Sequence, residues 1–237
     1  MDYPAPCPHD PIEEVAPDIF IARGAMQMNR LVRISRNMGI IRHEGALTLI
    51  NPIRLKPKGE RDLLALGTIK HVIRLGCFHG IDDPYYIDTF GAQMWSQAGG
   101  KTYPNPVPDV TLKADVSLPF PDAELFLFEK PLQPECALLI KRAGGILFTC
   151  DAIQHYGDYR HITFYMRPMM PRMGFPKTTI IGPMWLTALT PKGETLKPEF
   201  EQLLTLQFDK LLAAHGSFLA SGAHDAVAAA VETAFAD

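Results

Sequence analysis

An α/β sandwich of the α+β type is predicted for this chain by three observations. Short apolar runs with strand character fall into two groups, and helical segments follow each group. The two halves share a rough symmetry. Each half also ends in a polar loop at the C-terminal tip of an apolar strand, which argues for one site between them.

The composition is compatible with this. The chain has 237 residues, of which 47% are hydrophobic and 21% charged, an ordinary balance for a domain with a sizeable core. A net charge of −3 gives no global positive field, so neither nucleic acid nor a membrane is an expected partner. Cys7, Cys77, Cys136 and Cys150 lack paired C-x-x-C spacing, which points to a reducing compartment rather than to disulfides or a zinc ribbon. The first residues are acidic and proline-rich, without the pattern of a secretory signal, and no apolar run is long enough to span a bilayer. A cytoplasmic location is expected.

Residues 1–17 are read as an irregular arm, because their prolines oppose both helix and central strand. Residues 18–237 are read as one domain. Its first strands are expected at 18–24, 30–36, 39–43 and 46–51, punctuated at Gly24, Asn37–Gly39 and Glu44–Gly45. A helix is expected over 57–67, closed by Gly67, then an apolar strand over 69–75 and a short helix opened by Pro84. After a proline-rich stretch, strands are expected at 110–116, 124–130, 137–143 and 145–151, with Gly144–Gly145 as a turn. Residues 152–176 read as interrupted helix, with Met166, Met169, Met170 and Met173 packing a core or a homodimer surface. A helix at 197–207, a strand at 208–216 and an alanine-rich helix at 223–235 complete the chain.

Three polar clusters follow apolar strands: His79 with Asp82 and Asp83, then Asp151, then His215. Imidazole and carboxylate oxygen are good ligands for Zn, Fe or Mn. Each residue also has a plainer reading. A lone histidine at a strand end is usually a surface residue or a hydrogen-bonded one, and an aspartate after a strand is often a helix N-cap. The recurrence of one kind of position three times favours a shared site. Cys77 and Cys150 offer thiol chemistry beside His79 and Asp151, against a stronger expectation that both are small core residues.

The segments DIFIARG, ALTLINP, LGTIKHVIRLGCFHGIDDP, GGILFTCDA and FDKLLAAHG, in this order, resemble the metallo-β-lactamase fold over residues 18–235. The resemblance implies an αββα four-layer sandwich of two mainly antiparallel sheets. The family motif H-x-H-x-D-H, laid on residues 79–84, gives His79 and Asp83, while Ile81 and Pro84 replace two histidines. Asp151 matches the bridging acid and His215 the last histidine. The middle histidine is absent from EKPLQPE (129–135), where Glu129 is a candidate substitute. The resemblance therefore implies one divalent ion (Zn, Fe or Mn) held by Asp83, Asp151 and His215 with His79 nearby. Asp82, beside Asp83, is a candidate general base. A hydrolase of a small ester, lactone, thioester or phosphoester is expected. The alternative is a metal-free binding or scaffolding member, favoured by Ile81, Pro84 and the missing histidine.

Overall fold

The computed structural model describes residues 3–236. Among these, strands β1 (Glu13–Ala16), β2 (Ile19–Gln27), β3 (Arg33–His43), β4 (Ala46–Ile50), β5 (Thr68–Ile73), β6 (Gln93–Ser96) and β7 (Val110–Thr111) form one sheet in chain order. Strands β8 (Ala123–Phe128), β9 (Glu135–Ile140), β10 (Ile146–Thr149) and β13 (Lys210–Ala213) form a second, in the order β13-β10-β9-β8. A small ribbon pairs β11 (Ile153–His155) with β12 (Thr179–Ile181).

Side-chain alternation along these strands produces the layers. Ile19, Ile21, Ile41 and Ile73 of the first sheet meet Cys136, Leu138, Ile146 and Phe148 of the second in a core between the sheets. The opposite faces carry Phe20, Met38 and Leu49, which pack on Leu63 of α1 (Pro57–Leu66) and Tyr86 of α2 (Asp83–Phe90). Beyond the second sheet, Leu139, Leu147 and Leu211 pack on Trp185 of α3 (Pro183–Leu189), Phe200 of α4 (Lys197–Leu203) and Val227 of α5 (Ala223–Ala234). Each sheet is buried on both faces. This explains why its strands read as continuous apolar runs.

The αββα order is the expected one, with a refinement in strand direction. The ladders from β1 to β4 are antiparallel, but β4, β5, β6 and β7 run parallel. In the second sheet, β10 pairs parallel with β13 and antiparallel with β9.

Several local expectations change. Residues 13–16 of the presumed arm are an edge strand on β2. Residues 33–43 form one strand, not two. Asn37 stays in the ladder because its Nδ2 donates to Ala213 O at 2.9 Å, so the side chain satisfies the end of β13 instead of breaking its own strand. Residues 153–155 are strand where helix was expected. Phe164–Met173 is a 3-10 segment, since Pro168 and Pro171 inside it cannot supply the α-helical hydrogen bonds. Met170 is buried there, while Met169 and Met173 are exposed beside Phe164. No helix among the described residues is long and apolar enough to cross a membrane.

Candidate metal centre

The second sheet places two of the site residues by register alone. Thr149 of β10 lies opposite Ala213 of β13 in a parallel pair. Asp151 and His215 each follow two residues later. Paired parallel strands lie about 4.8 Å apart, so equal offsets leave the two side chains within reach of each other. The turn after His215 depends on Gly216, whose φ is +83° and whose absent Cβ would lie 2.0 Å from His155 O. Strand β3 braces the same turn. His215 Nδ1 donates to Ser35 O at 2.7 Å, and Gly216 N donates to Ser35 Oγ at 2.9 Å.

His79 comes from the other sheet, on the loop after β5. That loop is tied to the second sheet at two points. Cys136 N donates to Leu75 O at 2.8 Å, and Gly76 bridges Glu135. Asn51, with φ +48°, accepts from Leu75 N at 3.0 Å and donates to Thr149 O at 3.2 Å.

The three loops converge. His79, Asp151 and His215 each offer a ligand atom within 4.8 Å of the others, and all three are buried. His79 Nε2 lies 3.0 Å from His215 Nε2 and 3.1 Å from Asp151 Oδ2, while His215 Nε2 lies 3.1 Å from Asp151 Oδ1. The imidazole rings meet edge-on at 85°.

The protonation pattern suits a cation. A carbonyl oxygen can only accept, so His215 carries a proton on Nδ1, which leaves Nε2 as the nitrogen available to an ion. Burial, followed by the charge of Arg36, depresses the His79 pKa to about 3, so this imidazole is neutral at pH 7. Burial alone would raise the Asp151 carboxyl. His79 and His215 against its oxygens overturn this and hold it well below the usual range. Two imidazole nitrogens and a carboxylate are the donor set of His₂-carboxylate zinc sites and of non-haem iron sites with open positions. Bonds of about 2.0–2.1 Å in a tetrahedron separate ligand atoms by roughly 3.3 Å. The observed 3.0–3.1 Å needs an expansion of only a few tenths of an ångström. The His79 Nδ1 is buried with no partner.

Asp83 is not brought into this cluster. It sits in the first turn of α2, and its Oδ2 lies 3.0 Å from Nε of Arg74, both side chains being buried. Burial raises its pKa to about 6 against the opposing charges of Arg74 and Arg36. Asp82 precedes α2 without a side-chain capping bond and is likewise raised by burial. Of the four expected residues, the structure brings His79, Asp151 and His215 together and leaves Asp83 beside Arg74. Asp83 lies in α2 against the Arg74 guanidinium and is not in the group of ligand atoms that lie within 4.8 Å of one another. Pro84 occupies the start of α2, where a ring without an N–H is tolerated.

Glu129, the candidate substitute for the missing histidine, is exposed, and its backbone N–H is bonded to Glu199 Oε1 at 3.0 Å. The acid that does reach the site is Glu135, six residues on, whose Oε1 accepts from the N–H groups of Asp151 and Ala152. Its carboxyl is pushed up by burial and by the Asp151 charge. Arg36 is a second residue the sequence did not single out. It is fully buried, and its Nε and Nη2 are without partners. A charged residue inside an otherwise strand-like run was the available signal for it.

Asp151 is no helix N-cap, since β11 follows it. The thiols are poorly placed for chemistry. Burial, then the charges of Glu135 and Asp151, push Cys77 up to about 12, and Cys150 is raised well above the usual thiol range. Cys150 Sγ lies 3.9 Å from Asp151 Oδ2. His71 accepts from the Trp95 indole and His161 pairs with Asp10. Neither joins the site. A cavity of about 60 Å³ is lined by Arg74, Gly76, Cys77, Ser96, Gln97 and Tyr103 among others, and none of His79, Asp151 and His215 lines it.

A layered αββα sandwich with a His–Asp–His cluster at strand ends defines a class, and comparison with solved structures agrees. The chain has the metallo-β-lactamase fold. It superposes on DIM-1 metallo-β-lactamase with a TM-score of 0.65 at 12% identity, over 97% of this chain and 100% of that one. FIM-1 metallo-β-lactamase from Pseudomonas aeruginosa, solved in a mono-zinc form, gives 0.62 at 11% identity, covering 99% of each chain. A point mutant of a flavo di-iron protein from Thermotoga maritima gives 0.64 at 17% identity, over 97% of this chain and 62% of that chain. No family model and no curated protein matches the sequence.

Proposed function

We propose that this protein is a metal-dependent hydrolase with a single-ion centre, held by His79, Asp151 and His215. The convergence of two imidazole Nε2 atoms and both Asp151 oxygens at 3.0–3.1 Å carries this reading. The fold neighbours support it, one of them being a lactamase in a mono-zinc form. When bound, a divalent ion such as Zn, Fe or Mn supplies Lewis acidity and lowers the pKa of a water. The chain's own residues do the rest. Ser35 O holds the Nδ1 proton of His215, which leaves Nε2 available to an ion. Burial keeps His79 neutral, and Asp151 supplies the negative charge. Asp83 is a support in this scheme, anchoring the His79 loop through Arg74. The substrate class is a small ester, lactone, thioester or phosphoester, held where the strand ends meet.

A second reading is a metal-free binding member. The observation that favours it is that the three side chains already form closed contacts at hydrogen-bond distances. Elemental analysis with Co(II) titration separates the two. Near-stoichiometric uptake, lost in Asp151→Ala, supports the hydrolase. Uptake below roughly a tenth of an equivalent, with no thermal shift on adding Zn, Fe or Mn, leaves the metal-free reading.

A further inference from the structure

One buried side chain links two of the three strand ends that build the centre. Glu135 opens β9 and is 0% exposed. Its Oε1 accepts from Asp151 N at 2.8 Å and from Ala152 N at 2.9 Å. Two consecutive N–H groups on one oxygen fix the orientation of the peptide planes, and so the direction in which the Asp151 side chain leaves the backbone.

The same residue touches the loop that carries His79. Its backbone bridges Gly76, three residues before that histidine. A Cβ on Gly76 would lie 2.2 Å from Glu135 Oε2 and 2.7 Å from Cys150 Sγ, so the carboxyl occupies space that only glycine leaves open. Oε2 makes no hydrogen bond of ordinary length, the Trp185 indole being the donor nearest to the carboxyl. A leucine would fill this volume without a buried polar group, and a buried acid is a costly filler. What the acid adds is the pair of bonds to the Asp151 turn.

We infer that Glu135 is a positioning residue, spanning from the Gly76 end of the His79 loop to the Asp151–Ala152 turn and setting the direction of the Asp151 carboxylate toward His79 and His215. The inference rests on the metal reading for its consequence, but not for its geometry. Glu135→Gln keeps an oxygen able to accept both N–H groups. Glu135→Ala removes it, and Glu135→Asp is one methylene too short to reach both.

The test uses the full chain in two measurements. Amide exchange of Asp151 and Ala152 in metal-free protein is expected to match wild type in Glu135→Gln. It should accelerate by about ten-fold or more in Glu135→Ala, with the remaining β10 amides unchanged. Co(II) affinity and its visible spectrum are expected to be retained in Glu135→Gln. In Glu135→Ala the affinity should fall by about 10–100-fold with an altered spectrum. Should Glu135→Ala not fold, Glu135→Asp serves, with exchange of at least one of the two amides accelerated. Wild-type protection of both amides in Glu135→Ala or Glu135→Asp overturns the inference. So does a normal Co(II) spectrum in either variant. If wild type itself binds no Co(II), the hydrolase reading fails, and amide exchange alone decides whether Glu135 holds the turn.

Discussion

The two ends of the site are built by different means. Asp151 and His215 extend from neighbouring parallel strands, and their meeting follows from the pairing of Thr149 with Ala213. His79 hangs from a loop of the opposite sheet, held by Asn51, by the Gly76–Glu135 bridge and by the Arg74–Asp83 pair. The first half rests on a backbone ladder, to which Glu135 adds the bonds that hold the Asp151 turn. The second rests on buried polar contacts, each of which is costly to break. Changes at the proposed ligands and at their supports should therefore separate.

The largest expected effect is at Asp151, the proposed ligand whose two oxygens face His79 and His215. Asp151→Ala should abolish metal uptake, to roughly a tenth of an equivalent or less by elemental analysis, while the metal-free chain stays folded. Next is the loop support. Arg74→Met leaves the Asp83 carboxyl buried without its cation and should cost about 3–5 kcal/mol in urea unfolding at pH 8. Asp83 gives that cost a pH dependence. Burial raises its pKa to about 6, so the folded chain takes its proton at higher pH than the unfolded one. Its contribution is full below the ordinary carboxylate pKa and lost as pH rises through the folded value. Arg74→Met raises the folded value further, so its penalty should shrink between pH 8 and pH 5. A constant penalty would mean that Asp83 does not titrate in this window.

On the ladder side, Gly216→Ala should cost about 1–3 kcal/mol, because the residue has positive φ and its Cβ would overlap His155 O. The loss should appear in denaturant unfolding and, through His215, in weaker Co(II) binding. The smallest effect concerns the thiols. With Cys77 pushed up to about 12 by burial, iodoacetamide at pH 8 should modify the partly exposed Cys7 first and leave Cys77 and Cys150 intact in native protein. Rapid labelling of Cys77 would reopen thiol chemistry at the loop.

The same contrast explains what could be read in advance. His79, Asp151 and His215 each follow an apolar run, and that local pattern is visible without a partner. Asp83 matched a motif, yet its side chain meets Arg74, which lies nine positions earlier in an otherwise apolar strand exit. Glu135 carries no local signal, because its importance comes from two amides that lie sixteen and seventeen residues away. Asn37 looked like a break and became an anchor for the His215 turn.

By itself the sequence determined the alternation of strands and helices, the layered sandwich they form, and the strand-end positions of one imidazole and one acid–imidazole pair. Hydrophobic periodicity is local and survives without knowledge of neighbours. Only the tertiary structure decided which carboxylates face the centre and which are neutralised by arginine. Charge pairing acts over a few ångströms in space, and residues far apart in the chain compete for the same partner.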